Sequence, residues 1–153
     1  MKTVIKVKVL KIDQSGYHLI TTLKLNGKSA RVVIDTGASH SVFDIEGVKK
    51  FLDKEEIMEA DKLSSGLGTN SMKSMEIIIS RLEIGKIKLE NQKLVLLDLQ
   101  HVTQSYVSIG QKPVDGVIGS DLLKLLKAVI NFGDSTLTVS SIKNPSKVRN
   151  KKK

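Results

Sequence analysis

Much of the chain alternates apolar and polar residues at period two, the pattern of strands that bury one face. Val4 to Ile12 predicts a first strand, with Lys6, Lys8 and Lys11 facing water. Gln14-Ser15-Gly16 predicts a turn and Tyr17 to Leu25 a second strand, followed by Asn26-Gly27, a strong hairpin signal. Ser29 to Ile34 returns as a third strand and ends in the apolar run Val32-Val33-Ile34. Asp44 is placed to cap a helix over about Ile45 to Leu52, and a second short helix is predicted over Lys54 to Ala60. Lys62 to Asn70 is rich in Ser and Gly. Met72 to Ile84 reads as extended, Gly85 turns the chain, and Ile87 to Leu99 holds one or two strands. Gln100 to Ile109 has no decisive period and admits one helical turn, and Gly110 to Pro113 reads as loop. Val114 to Ile118 predicts a short buried strand, and Leu122 to Lys127 a short helix with an apolar face. Ala128 to Phe132 and Thr136 to Val139 pair as a last hairpin across Gly133-Asp134-Ser135. These elements make a mostly β single domain over residues 1–142 with two or three short helices, followed by a basic tail, 143–153.

Composition supports a strand-rich core. Aromatics are only 3% of the chain while hydrophobic residues are 40%, so Val, Ile and Leu must fill the interior. The absence of cysteine excludes disulfides, thiolate catalysis and cysteine-ligated metal centres. No apolar stretch is long enough to span a bilayer, so no membrane partner is expected. The N-terminus interleaves lysine with apolar residues and lacks the uninterrupted apolar segment of a signal peptide, which makes the cytoplasm the expected location.

The net charge of +9 raises the question of nucleic acid. Lys143, Lys147, Arg149, Lys151, Lys152 and Lys153 lie in the tail with no acidic residue among them, and removing those six leaves +3 for the body. Aromatics are not interleaved with basic residues for stacking on bases. A solvated tail therefore accounts for most of the charge, with weak, salt-sensitive attraction to polyanions as the other reading.

The candidate chemistry lies at Asp35-Thr36-Gly37-Ala38-Ser39, entered directly from the apolar run. Hydrolysis of a peptide without a metal or a covalent intermediate needs a base to activate water and an acid for the carbonyl oxygen and leaving nitrogen. Two carboxylates sharing one proton supply both, because like charges at close range cannot both ionise. Gly37 lets the backbone approach the carboxylate. As an isolated tripeptide, Asp-Thr-Gly is also good turn chemistry anywhere. A second element, Val117-Ile118-Gly119, runs into Ser120-Asp121-Leu122-Leu123 well downstream.

Together the two elements resemble those of the retropepsin-like aspartic proteases, single-domain enzymes of retroviral type with bacterial relatives. The resemblance covers about Lys24 to Val139 and implies a closed β-barrel of acid-protease fold. It implies that Asp35 is catalytic, that Thr36 braces the aspartate loops of two chains, and that Gly37 contacts the carboxylate through its backbone. Ala38 matches the alanine usual in retroviral-type enzymes, and Ser39 is a candidate for a hydrogen bond within the loop. Ser65, Gly66, Leu67, Gly68 and Thr69 resemble the flap that closes over substrate, an ordinary glycine-rich loop being the alternative. Because the aspartate motif occurs once, two chains must share one site, which implies a homodimer acting on a peptide or protein substrate without metal or organic cofactor.

Other titratable residues form no comparable motif. His18, His40 and His101 are too scattered for a metal site, though His40 lies close enough to Asp35 to tune it. Asp115 and Asp134 read as turn residues, Asp98 as a strand-end polar group and Asp121 as a helix-end residue. The rival to an endopeptidase is a non-catalytic peptide-binding or scaffold domain that keeps the acid-protease fold. A polyanion-binding module led by the tail is a third reading.

Overall fold

The computed structural model describes residues 1–65 and 75–141. Ten strands form two sheets. The smaller sheet joins β1 (Lys2–Lys6), β10 (Thr136–Ser140) and β9 (Val129–Asn131) in that order, all antiparallel. The larger sheet runs β2 (Lys8–Lys11), β3 (Tyr17–Leu25), β4 (Lys28–Ile34), β8 (Gly116–Ile118), β5 (Val42–Asp44), β7 (Ile87–Leu97) and β6 (Met75–Ile84). It closes on itself because β6 also pairs with β3, through Lys24↔Glu83 and Leu25↔Leu82. Six strands, β3 to β8 in chain numbering, therefore make a closed barrel, and closure removes the exposed edges an open sheet would carry.

Alternation along each strand sorts side chains between two cores. From β3, Leu19, Leu23 and Leu25 enter the barrel, and from β4 Ala30, Val32 and Ile34 join them. Phe43, Ile79, Leu82, Ile84 and Leu96 complete that interior and are almost fully buried. Ile20 and Val33 point the other way and form a small outer core with Leu10, Tyr106 and Val114. The outer core exists because a helix, α2 (Gln100–Ser108), packs over that face.

Several boundaries differ from the sequence expectation. The first predicted strand is two, in different sheets, because the chain breaks at the buried Val7, whose N–H donates to the Ser135 carbonyl at 2.9 Å. The helix expected over Ile45 to Leu52 is a 3₁₀ turn, Gly47–Phe51. Asp44 ends β5 instead, a strand not anticipated, and its Oδ2 accepts the Gly47 N–H at 2.7 Å. The second helix, α1 (Lys54–Ser65), runs past Ala60. Residues 87–97 make one continuous strand, and the segment expected to hold one helical turn is the nine-residue α2. The last helix, α3 (Ser120–Leu125), starts two residues early. No helix among the described residues is long and apolar enough to cross a membrane.

Candidate active site

β8 enters the sheet between two strands that follow one another in the chain. It pairs parallel with β4, Val33 opposite Val117 and Ile34 opposite Ile118, and antiparallel with β5, Val42 opposite Val117. The loop from residue 35 to 41 must therefore leave β4, pass over the end of β8 and return on its far side. The two sequence elements singled out as motifs, residues 35–39 and 117–119, are thereby brought into contact.

Three rungs fix that contact. At the start of the loop the Asp35 N–H donates to the Ile118 carbonyl at 2.9 Å. In the middle the Ala38 carbonyl accepts the Ser120 N–H at 2.8 Å. At the end the Ser41 Oγ accepts the Gly119 N–H at 2.9 Å. The Ser41 hydroxyl then donates its own proton to Asp121 Oδ1 at 2.7 Å, and the Ser41 N–H donates to the same oxygen at 2.9 Å. Gly119 has extended backbone, so its glycine is required by space and not by φ. A Cβ there would lie 2.7 Å from the Ala38 carbonyl oxygen and 2.8 Å from His40 backbone atoms.

Above this platform Asp35, Thr36, Gly37, Ser39 and His40 are exposed and Ala38 is half-buried. The Gly37 N–H donates to Asp35 Oδ1 at 2.9 Å, which holds the carboxylate toward the loop. A Cβ on Gly37 would meet that oxygen at 3.3 Å, closer than most real contacts. The site therefore presents one accessible carboxylate on a rigid base.

A groove of about 410 Å³ runs past Asp35 and Thr36. Its walls are largely apolar, with Leu19, Val33, Val117, Ile130 and Phe132 among them, and α2 adds Val102 and Tyr106. A smaller cavity of about 180 Å³ lies on the other side of the Ser41–Asp121 contact, between α3 and β7, away from Asp35.

The remaining candidates fall into structural positions. Asp115 accepts the Arg31 N–H at 2.8 Å and pairs with Lys50 at 2.8 Å, while Asp134 closes the last hairpin with Asn131. Asp98 accepts the Gln100 N–H at 3.0 Å, at the start of α2. His40 acts on Asp121 electrostatically, and His18 contacts Tyr106. Burial pushes the Asp121 carboxyl up, but the hydrogen bonds from Ser41 and Leu122 outweigh it, with His40 assisting, and leave the group below its ordinary value. Ser41, not Ser39, supplies the side-chain bond that ties down the loop. Of the flap candidates, Ser65 ends α1, and Gly66, Leu67, Gly68 and Thr69 lie outside the described residues.

Comparison with known proteins bears on the family and the fold. The family model described as aspartyl protease matches residues 21–122, a span that includes the Asp35 loop, β8 and the start of α3. In three dimensions the chain is similar to a retropepsin-like aspartic protease from Rickettsia conorii, with a TM-score of 0.54 and 19% identity over 91% of this chain and 90% of that one. It is also similar to the retroviral protease-like domain of Ddi1 from Leishmania major, with a TM-score of 0.53 and 15% identity over 82% of this chain and 90% of that one. At these identities the likeness establishes the fold. No curated protein matches the chain significantly in sequence.

Proposed function

The chain belongs to the aspartyl protease family and has a retropepsin-like fold, and on that premise we propose that it is an aspartic endopeptidase whose active site is completed by a second copy. The observation that carries this reading is the exposed Asp35 carboxylate, held by the Gly37 N–H at the edge of an apolar groove. One carboxylate cannot be base and acid at once. Two of them, one Asp35 from each protomer, share a single proton and titrate as a pair.

The ionised member takes a proton from water as the water oxygen attacks the scissile carbonyl carbon. The protonated member gives its proton to the carbonyl oxygen, and a neutral tetrahedral diol results. The C–N bond then breaks as the leaving nitrogen receives a proton from one carboxyl while a diol hydroxyl returns its proton to the other carboxylate, so the dyad keeps its single proton and a carboxylic acid and an amine are released. Every atom of the added water ends in the products. The chain's own contribution is geometric: the three rungs under residues 35–41 fix the loop that carries the carboxylate, which supports a preorganised dyad.

Cleavage of a diverse peptide library, read by mass spectrometry from acidic to neutral pH, tests the reading with wild type beside Asp35→Asn. Cuts made by wild type alone are expected. Identical patterns from both proteins, or none at concentrations that favour dimers, would point instead to a binding domain that retains the fold.

A further inference from the structure

Helix α2 is capped at its start and attached to the rest of the fold at three points. Asp98 takes the N–H of Gln100 at its start, and the Leu99 N–H donates to Asp44 Oδ1 at 2.9 Å. The Thr103 hydroxyl donates to the Val114 carbonyl at 3.1 Å, just before β8. Near the far end Tyr106 Oη lies 2.6 Å from His18 Nδ1, with the two rings edge to face at 5.8 Å. Burial raises the Tyr106 pKa, Arg31 opposes and Asp35 adds to the rise, so the hydroxyl keeps its proton, and the direction of its bond to His18 follows the imidazole tautomer. Leu19 pairs with Ile34, which puts His18 just beyond the ladder beside Asp35.

This attachment has a consequence for the groove. Tyr106 is only 4% exposed and forms its floor, backed by Val33 and the outer core, while the half-buried Val102 stands one turn earlier on the same face. A wall fixed at three points yields less to a larger guest than a loop would. We propose that Val102 and Tyr106 of α2 are the specificity-determining residues of this site. They set the size limit on one apolar substrate side chain beside the scissile bond, and the groove takes branched aliphatic or aromatic residues there. The inference rests on the endopeptidase reading, because only then is the residue beside Asp35 next to the bond that breaks.

The test changes the groove in both directions from α2 without emptying the outer core. Val102→Phe fills it and Val102→Ala deepens it. Peptides identical except for Ala, Leu or Phe at the residue beside the cut are compared by kcat/KM. In Val102→Phe the Phe-to-Ala ratio is expected to fall at least about tenfold, and in Val102→Ala to rise several-fold, the range one or two methylenes command in an apolar pocket. Tyr106→Phe keeps the volume and removes the bond to His18, and is expected to flatten the preference without reversing it. Ratios unchanged in both Val102 variants while all three proteins cleave would overturn the inference and leave the peptidase reading intact. Should the wild type cleave nothing, that reading fails instead. The same peptides are then ranked by affinity, and an order that Val102→Phe does not alter overturns the inference as well.

Discussion

A methyl group at position 119 would sit 2.7 Å from the Ala38 carbonyl oxygen, against backbone that cannot swing aside. Gly119→Ala is therefore expected to cost about 3 kcal/mol of stability, as overpacking does, and a depressed melting temperature would register it. Gly37→Ala differs in kind, because its new methyl meets only the Asp35 carboxylate oxygen, at 3.3 Å. Melting should be nearly unchanged while kcat falls about tenfold, the scale on which a displaced catalytic group is felt. Ser41→Ala should also lower kcat, since Gly119 loses its acceptor and Asp121 a donor, and Ser41→Thr should restore much of it. The Asp121 carboxyl has a folded pKa below its unfolded value, so its contribution is full above about pH 4 and lost as pH falls through the folded value. The melting-temperature gap between wild type and Asp121→Asn should accordingly narrow below about pH 4. At this scale the sequence was legible where a motif is contiguous. Asp35, Gly37 and Gly119 stand in recognisable strings, whereas Ser41 and Asp121 acquire their roles only when β8 is threaded beside them.

Among the elements, α1 depends on one buried carboxylate. Glu56 Oε1 accepts from Asn26 Nδ2 at 2.6 Å and from the Asp53 N–H at 2.8 Å, and Oε2 accepts the Ser80 N–H at 2.9 Å. That single side chain ties the helix to the β3–β4 turn and to β6. Glu56→Ala removes the acceptor of three hydrogen bonds and should cost about 3 kcal/mol, at roughly 1 kcal/mol for each bond lost. Glu56→Gln keeps the acceptor Oε1 and should cost less, a ranking that urea denaturation can check. Period and turn chemistry located β3 to the residue and β4 to within one, since Asn26-Gly27 fixes the register between them. They did not reveal β5, whose three residues are too short to show a period. Nor did they separate β1 from β2, because alternation records which face is buried and not which sheet the strand joins. α2 was obscured by its own composition: with Tyr106 its single buried residue, it carries little apolar periodicity.

For the molecule as a whole, the proposed sharing of one site by two copies predicts that activity is a property of pairs. Mixing wild type with an equal amount of Asp35→Asn should reduce the rate to about half once subunits exchange, because half of the competent chains then sit opposite a defective partner. A monomeric enzyme would show no loss. Dilution of the wild type alone should lower the rate faster than linearly as dimers dissociate, and sedimentation at the same concentrations would show whether mass and rate fall together. The mostly β class was visible in the alternation of the sequence. The closed barrel was implied by the resemblance and not by the strand pattern, since the β3–β6 seam consists of two residue pairs between segments far apart in the chain.

The threading of β8 between β4 and β5 also dictates an order of assembly. Strands β4 and β5 leave the ribosome one after the other, but the strand that fills the gap between them follows only after α1, β6, β7 and α2. Until it does, both neighbours face an open slot and the Asp35 loop has nothing to rest on. Contacts so distant in sequence are slow to form. A nascent or truncated chain ending before Gly116 would therefore carry Asp35 without the strand that fixes its loop, and any chemistry of that carboxylate has to wait for β8.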